Sequence, residues 1–335
     1  MLPAAENRDW KLVVSESFRD LGELLSYCEI GPPHTELYNS RKFALRATRY
    51  FASLIEKGNA RDPLLLQVLP TARELQRVDG YSKDAVGDRL SMPVPGLIHK
   101  YHGRVLLTMT GACAIHCRYC FRRHFPYGEA SLDYDANGQV MEYLVKNTDI
   151  NEVILSGGDP LMLAGRKLAK LITGLNRIPH IHTLRFHSRV LSVLPERVNE
   201  AFLETLRKFR GQVVFVTHIN HPNEISEPNQ AVFHLLARQG YRLFNQSVLL
   251  KGINDSPATL ADLSNSLFEN HIVPYYLHRL DKVEGAAHFD VSLREACRIY
   301  KQLRSRLPGY LLPAMVEEIQ GRSSKVPVLC NRHTS

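Results

Sequence analysis

Apolar positions along the chain change their period near residue 96. Before it, FRDLGELLSYCEI (18–30) and RKFALRATRYFASLIEKG (41–58) space their apolar side chains three and four residues apart. That spacing gathers them on one helical face, so residues 1–95 read as a helical N-terminal segment. Proline and glycine punctuate its last part, from Asp62 to Gly96. From Arg104 short β-forming runs take over: VLLTMT (105–110), EVILSG (152–157), TLRFHS (183–188), QVVFVTHI (212–219), RLFNQSVLL (242–250) and VPYYLHRL (273–280). After the first gap they start roughly every 30 residues, with helix-compatible stretches such as GRKLAKLITGLNRI and NQAVFHLLARQG between them. Strand and helix alternating at that interval imply βαβ units and a parallel sheet.

Six such units are fewer than the eight of a closed barrel. The expected fold is therefore α/β, an open six-stranded partial (βα)6 barrel over residues 96–285. A C-terminal segment, 286–335, extends it, and a doubly wound open sheet is the alternative. In either fold the loops after the strands carry the chemistry. Here the runs end in the cysteines, in Gly-Gly-Asp-Pro, in His-Ser-Arg, in His-Ile-Asn-His and in Asp281, with Asn245 and Gln246 inside the fifth.

Composition narrows the class. A hydrophobic share of 44% and a charged share of 23% are ordinary for a globular protein. No apolar run approaches the roughly 20 residues of a membrane helix. The start, MLPAAENRDWK, has no apolar signal core, so a cytoplasmic enzyme without a membrane partner is expected. The net charge of +8 would suit nucleic acid. Lys and Arg rarely form long runs, however, and a basic balance also suits phosphate and carboxylate ligands in a pocket, so nucleic acid is not the expected partner. Cys28, Cys297 and Cys330 are scattered, whereas Cys113, Cys117 and Cys120 fall within one short loop. A tight cluster in a reducing compartment reads as metal or redox chemistry.

Three thiolates spaced Cys-x3-Cys-x2-Cys leave two readings. A structural zinc wants four ligands, and His116 or His124 could supply the fourth. An iron–sulfur cluster takes thiolates by preference, and three of them leave one iron open to a ligand. The loop GACAIHCRYCFRR, with Tyr119 before its third cysteine, resembles that of the radical S-adenosylmethionine (SAM) enzymes. The resemblance implies a [4Fe-4S] cluster on Cys113, Cys117 and Cys120, SAM on the open iron and an external electron donor. Ser156, Gly157, Gly158 and Asp159 resemble the glycine-rich stretch that faces SAM there. Ser188, Arg189 and Gln246 would meet other parts of SAM.

Longer stretches are similar to lysine 2,3-aminomutase: CRYCFRR, SGGDPLML, HSRVLSVLP, HINHPNEI, NQSVLLKGIND and PYYLHRLDKVEGAAHF, over roughly residues 96–328. The short length, HFPY after the cysteines and the ending LPxxxxEIxGxxSKxP resemble one branch of that family. That branch turns (S)-α-lysine into (R)-β-lysine, which a dedicated ligase attaches to elongation factor P; direct docking on that factor is not implied. The resemblance implies pyridoxal phosphate (PLP) as a second cofactor, with Lys325 as the lysine that bonds its aldehyde. Lys100, Tyr101 and Arg104 match the phosphate side, Lys100 standing where arginine is usual. Arg122 matches the arginine that pairs with the α-carboxylate of substrate L-lysine. Asp281 and Glu318 match the two carboxylates that take its side-chain ammonium, Glu318 standing where aspartate is usual. Longer relatives carry a C-terminal cysteine cluster for zinc; only Cys330 lies in that region here, so no such zinc is expected. The alternative is a radical SAM enzyme acting on another amino acid, or on RNA or protein.

Overall fold

Each apolar run of the second half forms a strand in the computed structural model, which describes residues 9–31, 36–38, 40, 43–130 and 137–330. The strands are β1 (Leu97–Tyr101), β2 (Arg104–Thr108), β3 (Glu152–Ser156), β4 (Thr183–Ser188), β5 (Gln212–Thr217), β6 (Arg242–Val248), β7 (Ile272–His278), β8 (Ala314–Glu317) and β9 (Val326–Pro327). They form one 9-stranded sheet in chain order, with β1 and β9 at its two edges, so the sheet is open. Neighbours from β2 to β8 pair in parallel. β1 and β9 flank that run antiparallel. The expected open partial barrel is present, but β8 adds a further parallel strand beyond the six. Its AMVE is too short for a visible alternation, and β9 has two residues; pairing with neighbours makes them strands. The C-terminal segment therefore continues the same sheet.

Alternation along the strands divides the two faces. In β4, Leu184 and Phe186 are buried in the main core. They join Leu168, Leu171, Ile172 and Leu175 of the helix Gly165–Leu175. Arg185 and His187, the intervening residues, line a cavity on the other face. A period of two thus sends one set of side chains under the helices and the other into the cavity.

The N-terminal segment is less helical than its pattern. Helices form at Trp10–Ser15, Leu21–Tyr27, Arg49–Ser53 and Pro63–Leu66. Of the helix expected over 41–58, only Arg49–Ser53 is α-helical; residues 41 and 42 lie outside the described residues. Ala47 instead pairs antiparallel with Phe18, and Thr48 caps the short helix by accepting from Phe51 N at 3.1 Å. The carbonyls of Ala44 and Arg46 face the cysteine loop, as described below, and a helix would have consumed them. Two cysteines that read as isolated, Cys297 and Cys330, form a disulfide between the helix Leu293–Arg304 and the tail after β9. Among the described residues no helix is long and apolar enough to cross a membrane.

Candidate active site

The cysteine loop leaves the C-terminal end of β2 and is fixed from two sides. From the N-terminal segment, Arg46 Nη1 donates to Cys113 O at 2.9 Å, and Arg46 O accepts from His116 N at 3.0 Å. Gln67 O accepts from Arg118 N at 2.9 Å. Glu74 accepts from Arg118 Nε at 2.8 Å and pairs also with Arg123; Arg118 is fully buried. His116 spends Nδ1 on Ala44 O at 2.7 Å, and His124 spends Nε2 on Glu284 O at 3.1 Å.

From the sheet side come Gly157 and Gly158. Gly157 sits at φ +114°, a conformation that favours glycine. A Cβ on Gly158 would stand 2.4 Å from Ala112 O. Gly158 N donates to Thr110 O at 2.6 Å and Asp159 N to Ala112 O at 2.8 Å. These glycines therefore let β3 lie directly against the cysteine loop. The sequence suggested close approach to a ligand; the close approach here is to the loop backbone.

Asp159 is a pin between loops. Its carboxylate accepts from Ser188 Oγ at 2.7 Å, Arg189 N at 2.8 Å, Leu161 N at 3.0 Å and Val190 N at 3.1 Å. Ser188 spends its hydroxyl on that contact and is not part of the cavity lining, whereas Asp159 and Arg189 both line it. Arg189 donates to Gln67 Oε1 at 2.7 Å and Glu224 Oε2 at 3.0 Å, and its Nη1 lies 3.4 Å from Cys117 Sγ.

One cavity of about 460 Å³ collects every cofactor and substrate candidate except Ser188, with Ser156, Asp159 and Arg189 among its lining. Cys113, Cys117, Cys120, Arg122, Gly157, Gly158, Gln246, Lys100, Tyr101, Arg104, Asp281, Glu318 and Lys325 all line it. Along one wall the charges alternate without a break. Lys325 Nζ donates to Glu318 Oε2 at 2.8 Å, and Glu318 Oε1 accepts from Lys100 Nζ at 3.0 Å. Lys100 Nζ reaches Asp88 Oδ1 at 2.7 Å, and Asp88 Oδ2 accepts from Arg122 Nε at 2.8 Å. Arg122 Nη1 then donates to Ser156 Oγ at 2.8 Å. Burial alone would raise Glu318, but Lys325 and Lys100 outweigh it and hold its carboxyl at about 2. Burial, and after it the charge of Glu318, push Asp281 up to about 7. Lys100 also donates to Val86 O at 2.7 Å, so three donors of its ammonium point at protein oxygens rather than toward Arg104. The Arg104 guanidinium lies 4.8 Å from the Tyr101 ring centre.

Comparisons with known proteins give the family. The Radical SAM superfamily model matches residues 107–263. An L-lysine 2,3-aminomutase of Escherichia coli (strain K12) is 44% identical over 98% of this chain and 96% of its own. The chain belongs to the L-lysine 2,3-aminomutase family. A Haemophilus influenzae relative of the same name is 42% identical, over 96% of this chain and 95% of its own. One from Clostridium subterminale is 34% identical, over 98% of this chain and 79% of its own.

The aminomutases of this family are isomerases, and as radical SAM enzymes they use an iron–sulfur cluster and SAM. The residues present fit those groups. Burial first, then the neighbouring thiols, hold Cys113 well above its usual pKa and Cys120 at about 11. Thiols so placed ionise when a cationic centre draws their protons off. Elsewhere on the cavity wall, Nε2 of His187, Nε2 of His278 and Nε of Arg185 are buried without a hydrogen-bond partner. Buried nitrogens normally have one, so this wall is built to receive a polar ligand. Burial keeps His187 and His278 neutral and brings His218 down to about 3, while His218 Nε2 meets Gln246 Nε2 at 2.8 Å.

Sequence reasoning named His187 but missed Asp88, Glu74, Gln67, Glu224, His218 and His278. Asp88 sits in irregular chain with no period to mark it, and Glu74 sits in the short 3-10 turn Ala72–Leu75, where its spacing from Thr71 marks only a helix cap. His218 and His278 had a signal: each stands near the C-terminal end of a β-forming run, where the chemistry was expected.

Proposed function

We propose that this chain converts (S)-α-lysine to (R)-β-lysine in the cytoplasm, with PLP beside SAM, an external electron donor, and elongation factor P as the destination of the product. One observation carries the reading: a single cavity joins the cysteine loop, a buried arginine, the Lys325 amine paired with Glu318, and a second carboxylate, Asp281. That order of charges fits an amino acid with a cationic side chain.

Bound there, the cluster and SAM supply a carbon-centred radical, and PLP supplies an aldehyde and a π-system through which the amino nitrogen migrates. The chain's residues fix what reacts. Arg122, with Nε held by Asp88, offers its terminal edge to the α-carboxylate as a two-point match, which orients Cα and Cβ toward the cluster end. Lys325 provides the amine for the aldehyde. Asp281 and Glu318 receive the side-chain ammonium. Asp281, raised to about 7, ionises fully as that cation arrives. A substrate with a side-chain carboxylate would meet two carboxylates and be rejected. The neutral histidines add no positive charge of their own beside the substrate's ammonium. Ile98, Leu106, Val248 and Leu280 supply apolar lining that excludes water from a radical. Hydrogen leaves Cβ as an atom, so no carboxylate base is required at that carbon.

The test is anaerobic reconstitution with iron, sulfide, PLP, SAM and a reductant, followed by chiral mass spectrometry. (R)-β-Lysine forming without net loss of SAM is expected, as is its attachment to elongation factor P when ligase is added. Arg122→Lys should keep its cluster and lose most lysine turnover. SAM cleavage without β-lysine would remove lysine as the substrate.

A further inference from the structure

β8 and β9 form an antiparallel hairpin in which Val316 pairs with Pro327 and Glu317 with Val326. That register makes Glu318 and Lys325 the next cross-strand neighbours, with the turn between them carried by exposed residues and by Gly321 at φ +79°. The hairpin thus delivers the amine of Lys325 to Glu318 Oε2, at 2.8 Å. The other oxygen is already taken. Lys100 holds Glu318 Oε1 at 3.0 Å and is itself anchored by Val86 O and Asp88.

We propose that, before the cofactor arrives, the ammonium of Lys325 stands in for the substrate's side-chain ammonium and blocks the subsite it later opens. This rests on the reading of Glu318 and Asp281 as the ammonium subsite. Lys100 is the permanent cation of Glu318, and Lys325 is the exchangeable one. Condensation of Lys325 with the cofactor's aldehyde releases water and the ammonium's proton, and leaves Oε2 of Glu318 open. One oxygen then serves two ammonium groups in succession. The cofactor and lysine bind in that order, because the first removes the competitor of the second. The electrostatics agree: Lys325 is among the charges that partly offset the raised state of Asp281, a service the substrate's cation takes over.

The test uses the full chain with its cluster but without PLP. Calorimetric titrations compare L-lysine with L-norleucine, which lacks only the terminal ammonium. Lys325→Met should bind L-lysine on the order of tenfold more tightly than the unaltered chain, with L-norleucine unchanged. Lys325→Ala should repeat the gain, which separates it from any effect of one side chain on folding. Adding Glu318→Gln to Lys325→Met should remove the gain. Affinity for L-lysine that is equal, or equally undetectable, in the unaltered chain and both Lys325 variants overturns the stand-in. If Glu318→Gln still weakens lysine use by the holoenzyme in that case, the subsite reading survives. If Glu318→Gln and Asp281→Asn leave the preference for lysine over norleucine intact, the subsite reading fails and takes the stand-in with it.

Discussion

Glu74 offers the sharpest test of how the cysteine loop is held. Its carboxylate serves two guanidiniums, Arg118 and Arg123, on either side of Cys120. The Glu74 and Arg118 side chains are 3% and 0% exposed. Burial alone would raise the Glu74 pKa, but the two arginines outweigh it and lower it. Glu74→Gln keeps the volume and one acceptor and removes the charge. Taking one partner from a buried ion pair costs about 3–5 kcal/mol. Arg118 keeps Phe43 O at 2.9 Å, and Arg123 keeps Arg118 O at 3.0 Å and Gly285 O at 2.9 Å. Those bonds place the loss near the lower end, about 3 kcal/mol. At about 2.1 cal/mol/K of unfolding entropy per residue, 335 residues give about 0.7 kcal/mol/K. The melting temperature should therefore fall by about 4 °C. The loop bearing the cluster ligands should open more often, so cluster bleaching in air should quicken by about tenfold or more. Circular-dichroism melting under anaerobic conditions reads the first effect, and decay of the cluster's visible absorbance reads the second. A melting temperature within about 1 °C of the unaltered chain, with unchanged bleaching, would refute the assignment of Glu74 as the clamp.

Other expectations follow from single positions. Asp281 has a folded pKa of about 7, above its unfolded value of about 3.9. Its contribution to stability is therefore greatest at low pH and is lost as pH rises from about 4 to about 7. Lysine binding near pH 7 should release a proton from it, and calorimetry in buffers of different ionisation heat would show none if the reasoning is wrong. Gly158→Ala would drive a Cβ to 2.4 Å from Ala112 O, displacing the cysteine loop, so the purified variant should retain little iron. Iron content equal to that of the unaltered chain would contradict this. The Cys297–Cys330 disulfide closes a separation of 33 residues, worth about 3–4 kcal/mol by loop-closure entropy. Urea midpoints measured with and without dithiothreitol should differ accordingly, and coincident midpoints would show that the bridge contributes nothing.

The sequence by itself determined the parallel run from β2 to β7, because alternation, β-branched content and regular helical gaps are local signals. Spacing and chemical type also marked the three cysteines and the Gly157–Gly158 pair, whereas Arg122, Asp281, Glu318 and Lys325 were marked by longer stretches resembling the family. Tertiary structure decided the rest. β8 and β9 are too short to carry a period and exist through pairing with their neighbours. Residues 44–48 left a helical pattern because their backbone is used by Phe18 and the cysteine loop. Asp159 and Ser188 also pin the loops together, because three backbone N–H groups and a hydroxyl converge on one carboxylate. Asp88 joined the site from an irregular segment and linked Lys100 to Arg122. A carboxylate's partners are set by where the folded chain puts cations and N–H groups, and no spacing along the sequence encodes that.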